Sequence, residues 1–414
     1  MDQLTTFLKT SYTAYHAVEN SAKILLQEGF TRLFEHEPWN LKEGGKYFVI
    51  RGGCSLVAFT TGKGSNFKII ASHADSPALK LKENPVMKSD GMIKCNVEKY
   101  GGSILYSFFD RPLRFAGRVV KEENGALVAH NYVSDYRVVI PSVAIHMNRE
   151  VNDKFSPNVQ VDLLPLAALG DCTTQMLLGD CVSYDLFAVC DEESFESGKN
   201  GEFLSSPRVD NLTSVLASVN AITSKDVSGV CIVAIFDNEE IGSQTRQGAG
   251  GDLLASVIDR IARFQKMSDE QRLCALSSSL LISLDNAHAV HPNHPEKSDP
   301  TNRTLLGGGV VIKTHAEKSY TTDALTSSAV KTVFRRANVK YQTFFNRSDI
   351  KSGGTLGALS LGQVCVPSVD MGIAQLAMHS AVETFAKEDF IQLQTGLAAF
   401  FASNVRIIDD AVLF

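Results

Sequence analysis

Residues 231–240 read Cys-Ile-Val-Ala-Ile-Phe-Asp-Asn-Glu-Glu, and this stretch decides the fold. Six apolar residues run without a break and then stop at four polar ones. An alternating strand has one wet face. An unbroken apolar strand is covered on both faces, the habit of parallel sheets flanked by helices. The pattern recurs along the chain. Phe67-Lys-Ile-Ile-Ala71 ends at Ser72-His73-Ala74-Asp75, and Leu280-Leu-Ile-Ser-Leu284 ends at Asp285. Leu212, Val215, Leu216, Val219 and Ile222 share one face of a predicted helix, Asp252 to Phe264 is helical, and residues 3–29 also predict helix. Strands alternating with helices make the fold class α/β, a mainly parallel sheet with helices on both faces.

The character changes after about residue 86. From Met87 to about Cys190 the chain holds short alternating segments, such as Gly117-Arg-Val-Val120 and Tyr136-Arg-Val-Val-Ile140, with turn residues such as Asn124-Gly125 between them. That predicts a β-rich unit. Asp191–Asn200 is polar and predicts a linker. The expected organisation is therefore a catalytic domain over 1–86 and 200–414, interrupted by a β-rich insert over 87–199.

Apolar residues make up 44% of the 414, enough to bury a sizeable core, and charged residues make up 21%. The net charge of −6 gives no electrostatic reason to expect nucleic acid or an anionic membrane as a partner. Nowhere do about 18 consecutive apolar residues occur, the length that spans a bilayer. The opening MDQLTTFLKTSYTAYHAV lacks the basic start and apolar core of a signal peptide. The eight cysteines are scattered and form no C-x-x-C pair, which suits buried thiols in a reducing compartment and predicts a cytoplasmic protein.

Metal-ligand residue types stand where strands or loops end: His73, Asp210 in P-R-V-D-N, Glu239-Glu240, Asp285 in S-L-D-N-A-H-A, and His379 in Q-L-A-M-H-S. A lone histidine after a strand is more often a core or surface residue, and a lone Glu-Glu pair is usually a solvated edge. Together, at the carboxyl edge of one sheet, these residues suit Zn²⁺ or a neighbouring divalent ion. Two such ions carry +4. Asp210, Glu240 and Asp285 carry −3 and a bridging hydroxide −1, so the centre is neutral. Bridged ions lie about 3.5–4 Å apart, a span one carboxylate such as Asp210 can cover. Of two adjacent glutamates, one can bind metal while the other takes a proton. Asp75 either fixes the His73 tautomer or is an ordinary turn residue.

The segments S-H-A-D-S-P, P-R-V-D-N-L, F-D-N-E-E-I-G-S, D-N-A-H-A-V-H-P-N and Q-L-A-M-H-S resemble, in order, those of the aspartyl aminopeptidase family. So do Val97-Glu-Lys-Tyr-Gly-Gly102, Phe109-Asp-Arg-Pro-Leu113 and Ile140-Pro-Ser-Val-Ala-Ile-His146. The resemblance runs over nearly the whole chain. It implies a metallopeptidase domain with an inserted dimerisation domain, two Zn²⁺ per subunit (with Co²⁺ or Mn²⁺ as substitutes), and small peptide substrates cut after an acidic first residue. His73, Asp210 and Asp285 would hold one ion, and Asp210, Glu240 and His379 the other. Glu239 would be the general base, with Asp75 behind His73. Lys313 would face the first side chain of the substrate. His146 would reach a neighbour's site across the interface of a homo-oligomer, dimers building a dodecamer. The segment after Lys313, Thr314-His-Ala-Glu-Lys-Ser-Tyr320, departs from the family's basic-aromatic pattern by its Glu317. His288, His291 and His294 read as pocket or loop residues. The rival readings are a related binuclear deacylase or carboxypeptidase, and a non-catalytic assembly protein with a relic site.

Overall fold

The computed structural model describes residues 1–350, 353–354, 357 and 362–414. Nine strands form the main sheet. In spatial order they are Thr31–Leu33, Lys46–Arg51, Ser55–Thr60, Val230–Phe236, Phe67–His73, Leu280–Leu284, Ser368–Gly372, Val310–Lys313 and Tyr341–Phe344. The four from Val230–Phe236 to Ser368–Gly372 run parallel, with antiparallel pairings on either side. All seven residues of Val230–Phe236 are buried. Cys231, Val233 and Ile235 join the core formed with helices Asp2–Thr10, Ala14–Gln27, Val209–Ile222, Ala324–Arg336 and Lys387–Ala402. Val230, Ile232, Ala234 and Phe236 join the opposite core, with helix Leu253–Phe264. A period of two sends alternate side chains to opposite faces, so covering both faces demands an unbroken apolar run.

Two helical expectations change. The helix expected over 3–29 is two helices, broken at 11–13. The guanidinium of Arg208 donates to the carbonyls of Ser11 (3.1 Å) and Leu8 (3.3 Å), satisfying buried carbonyls at the end of the first helix and fixing the break. The helix Val209–Ile222 was expected to show one apolar face, yet all its residues but Asn220 are buried. Two of its small polar residues bury with their hydroxyls bonded within the helix, Thr213 to the Val209 carbonyl (2.9 Å) and Ser218 to that of Ser214 (2.6 Å).

The β-rich unit is a six-stranded antiparallel sheet in the order Ala126–Val133, Leu113–Glu123, Ser183–Cys190, Ala78–Ser89, Met92–Tyr100, Leu166–Leu169, with its own core around Leu79, Ile93, Phe115 and Leu186. Its first strand starts at Ala78, so position 87 lies inside that strand. Asn124 (φ 51°) and Gly125 (φ 78°) make the two-residue hairpin turn, where both residues need the left-handed region. Tyr136–Ile140 forms only isolated bridges, such as Val138 to Leu113.

The expected linker Asp191–Asn200 is partly structured. Its Phe195–Ser197 heads a third sheet, continuing through Phe203–Ser206, Glu383–Ala386, Ala374–Leu376 and Ala287–His288. Asp191 accepts from Tyr12, Arg114 and Arg137, which ties this crossing to the N-terminal helices and the β-rich sheet. Among the described residues no helix is long and apolar enough to cross a membrane.

Candidate metal centre and active site

His73 is the last residue of its strand, Asp285 follows Leu284, and Glu239 and Glu240 begin a short turn after Phe236. These strands are parallel neighbours, so their polar ends emerge at one edge. Asp210 stands at the irregular start of helix Val209–Ile222, with non-helical φ −81° and ψ 107°. His379 lies between strands Ala374–Leu376 and Glu383–Ala386. Arg208 (φ 60°), Asn238 (φ 63°) and His379 itself (φ 67°) are left-handed. That conformation is uncommon for side-chain-bearing residues, and surrounding contacts must hold it.

These elements bring the five expected ligand residues together. Asp210 is 2% exposed and faces both histidines: its Oδ1 lies 3.6 Å from His73 Nε2, and its Oδ2 lies 3.6 Å from His379 Nε2. Asp285 Oδ1 is 3.7 Å from His73 Nε2, and Glu240 Oε1 is 3.3 Å from His379 Nε2. Two triads result, His73–Asp210–Asp285 and Asp210–Glu240–His379, and a third grouping of His73, Glu239 and Glu240 sets Glu239 close to one member of each. Within each group the ligand atoms lie within 4.8 Å of one another.

Both imidazoles are oriented the same way. His73 Nδ1 faces only acceptors, the Asp75 carbonyl at 3.1 Å and Asp75 Oδ1 at 3.4 Å. His379 Nδ1 faces the Gly102 carbonyl at 3.2 Å. Each Nδ1 therefore carries the proton and leaves the Nε2 lone pair aimed at the carboxylates, as a metal ligand requires. Asp75 also accepts from the backbone N–H groups of Glu239 and Glu240 (3.1 Å each) and from the Tyr100 hydroxyl (2.7 Å), so it fixes the glutamate turn as well as the histidine.

The residues present fit divalent cations. His73 Nε2, Asp210 Oδ1 and Glu240 Oε1 are buried without a hydrogen-bond partner. A buried unpaired polar atom costs about 1–3 kcal/mol, more when charged, so three together need a positive centre between them. Titration points the same way. Burial lowers both histidines, but the carboxylates win, holding His73 well above its ordinary value and pushing His379 up to about 10. Burial, with Asp285, Glu240 and Asp75 opposing the pull of His73, pushes Glu239 up to about 8. The pocket holds an excess of negative charge.

The description "Aminopeptidase I zinc metalloprotease (M18)" belongs to a family model that matches residues 7–177 and 172–401 of this chain. The chain belongs to this family. It is 41% identical to a probable M18 family aminopeptidase 2 of Clostridium novyi (strain NT), over 94% of this chain and 95% of that protein. It is 35% identical to a probable M18 family aminopeptidase 2 of Pseudomonas aeruginosa (strain UCBPP-PA14), over 96% and 97%. A chain of the cryo-EM Ape4 and Nbr1 complex superposes with a TM-score of 0.90 at 33% identity, covering 97% of this chain and 85% of that one. A chain of the S. cerevisiae mApe1 dodecamer gives 0.80 at 25% identity, covering 97% and 95%. Like the rest of the M18 family, the chain is a peptide hydrolase that removes N-terminal residues, with the mixed α/β fold seen in those structures.

Lys313 and His146, expected at the substrate's first side chain and at a neighbour's site, belong to none of the three groupings. Lys313 is buried beside it, donating to Asp285 Oδ2 (2.8 Å) and the Asn286 carbonyl (3.2 Å) and lying 5.0 Å from the centroid of the Tyr320 ring. Burial lowers its pKa, but Asp285, Tyr320 and Asp370 raise it further, so it stays charged. His146 is exposed in an irregular segment and belongs to none of the three groupings. His288 and His291 line a cavity of about 280 Å³ with Lys297, Arg347, Phe344 and Asp299.

Sequence reasoning missed Glu383, Tyr100 and the pair Gly101-Gly102. The glycines pass so close that a Cβ on Gly101 (φ 74°) would sit 3.1 Å from Glu240 Cβ, and one on Gly102 would sit 3.4 Å from His379 Nδ1. A signal for Glu383 existed: it alternates in the sequence with the apolar Ala381 and Phe385, and all three are buried.

Proposed function

We propose that this aminopeptidase works through two divalent cations, zinc by its donor set, with Glu239 as general base and a preference for acidic first residues. The observation that carries the reading is Asp210, whose two oxygens face the two histidines at equal 3.6 Å distances. His73, Asp210 and Asp285 would hold one cation, and Asp210, Glu240 and His379 the other. Bound there, the cations would polarise the scissile carbonyl and lower the pKa of a water between them. Glu239 lies close to one member of each triad and is no member of either. It takes the proton of the attacking water and passes it to the leaving amine nitrogen. Asp75 keeps the Glu239 backbone and His73 ring in place throughout. The deacylase and carboxypeptidase readings lose to the family match, which names aminopeptidases.

The acidic preference is supported by charge. Lys313 is buried beside Asp285, and the cavity bordered by His288 is lined by Lys297, by Asp299 and by Arg347, which is itself paired with Asp349. A panel of peptides differing only in the first residue tests it after reconstitution with zinc, cobalt or manganese. Asp and Glu peptides are expected to be cut fastest. Lys313→Met is expected to cost about 1–3 kcal/mol for those two, the range of a charge-assisted hydrogen bond, and much less for Ala or Leu peptides. Equal losses across the panel would leave Lys313 only its support of Asp285.

Assembly is the second part of the proposal. The inserted block, 87–199 by sequence and opening at Ala78 by its strands, is the subunit-pairing unit. Its exposed apolar residues support this: Met147 is 82% exposed, Val161 68%, and Tyr106, Val143, Phe155 and Val161 line one groove. His146 stands among them, and in a dodecamer it reaches a neighbour's site to donate to the developing oxyanion. Two inactive variants, Glu239→Gln and His146→Ala, are dissociated, mixed and reassembled. A fraction of activity is expected to return, because some sites combine an intact Glu239 with a neighbour's His146. A mixture as inactive as its parents, with wild type surviving the same treatment, removes the trans role. The eight free cysteines suit a cytosolic location.

A further inference from the structure

Glu383 is 2% exposed and lies four residues beyond His379, on the strand that pairs with Phe203–Ser206. Its carboxylate bonds to the main chains of two cation ligands. Its Oε2 accepts the backbone N–H of Asp210 (2.9 Å), and its Oε1 accepts the backbone N–H of His379 (2.7 Å) and the Gln375 amide (3.4 Å). One rigid group thus joins the main chains of two residues that come from distant parts of the sequence. Both stand where local preference is overridden: Asp210 breaks the helix it opens, and His379 has a positive φ. Glu383 is itself fixed by the ladder, paired opposite Ser206.

We infer that Glu383 is the positioning residue of the Asp210–Glu240–His379 cation site, setting the spacing between Asp210 and His379. The inference rests on the two-cation reading. It predicts an asymmetry, because Glu383 holds two of the three ligands of this site but only the shared Asp210 of the other, where His73 and Asp285 have supports of their own in Asp75 and Lys313. A carboxylate suits the task better than any other side chain: it offers two acceptor oxygens and no donor to two N–H groups. Glutamine has the same shape but sets an NH₂ against one of them, so Glu383→Gln loses the bonds of one of the two oxygens and leaves the volume nearly unchanged.

The test titrates metal-free full-length protein with Zn²⁺ against a competing chelator and follows thermal melting of the metal-free form. Wild type is expected to bind two ions per chain. Glu383→Gln is expected to keep the first ion at near wild-type affinity and to bind the second about 10–100-fold more weakly, the usual effect of losing a partner behind a ligand. Glu383→Asp, which keeps both acceptors, is expected to fall between the two, and it carries the comparison if the glutamine variant does not fold. Adding Glu383→Gln to His379→Ala is expected to weaken the second ion by less than the two single losses combined, because only the Asp210 arm of Glu383 is then left to lose. Wild-type affinity for both ions in Glu383→Gln overturns the inference. So does an equal loss at both ions accompanied by a lower melting temperature, which is the mark of a general folding role. A wild type that binds fewer than two ions removes the two-cation reading, and the inference with it.

Discussion

Glu239→Gln is expected to retain both cations and to lose at least about a hundredfold in turnover, the usual scale of a general base. The change keeps size and shape and removes only the ability to take a proton. Metal retention is expected because Glu239 belongs to neither of the two triads that share Asp210. Its backbone N–H, not its carboxyl, is what Asp75 holds at 3.1 Å, so the turn survives the substitution. Metal analysis beside steady-state kinetics on the same preparation decides the matter. Two ions per chain with near-normal turnover would take Glu239 out of the mechanism. Loss of an ion would make it a ligand, as its grouping with His73 and Glu240 allows.

Asp210→Ala is expected to be the most damaging change at the centre, leaving fewer ions per chain than His73→Ala and no measurable turnover. Asp210 serves both triads, whereas His73 serves one of them. Losing the shared carboxylate also leaves positive charge uncompensated in a buried pocket, a cost of about 3–5 kcal/mol where a buried pair is broken. The bond from the Asp210 N–H to Glu383 survives in the alanine variant, so the comparison reads the side chain alone. Two ions per chain in purified Asp210→Ala would end the bridging role.

Much of this was legible in the residues. The run Cys231–Phe236 could be satisfied only between two apolar layers, and the polar residues after it had to emerge at a sheet edge, where the structure places Glu239 and Glu240. The same argument placed His73 and Asp285. The β-rich insert was legible in its alternation and in Asn124-Gly125, although its first strand began earlier than the change in composition suggested. What failed failed locally. The helical pattern over 3–29 did not reveal a break held by Arg208, and Tyr136–Ile140 had a strand's composition without a continuous partner.

The sequence by itself determined the layers, the ligand types and their order, because side-chain periodicity and strand-end chemistry are short-range properties. Only the tertiary structure decided that Val230–Phe236 inserts between Ser55–Thr60 and Phe67–His73, that Lys313 is paired with Asp285, and that Glu383 joins Asp210 to His379. Those facts depend on which distant segments meet. A buried carboxylate or ammonium becomes stable only through the partners that the finished fold delivers to it, and no local pattern names them.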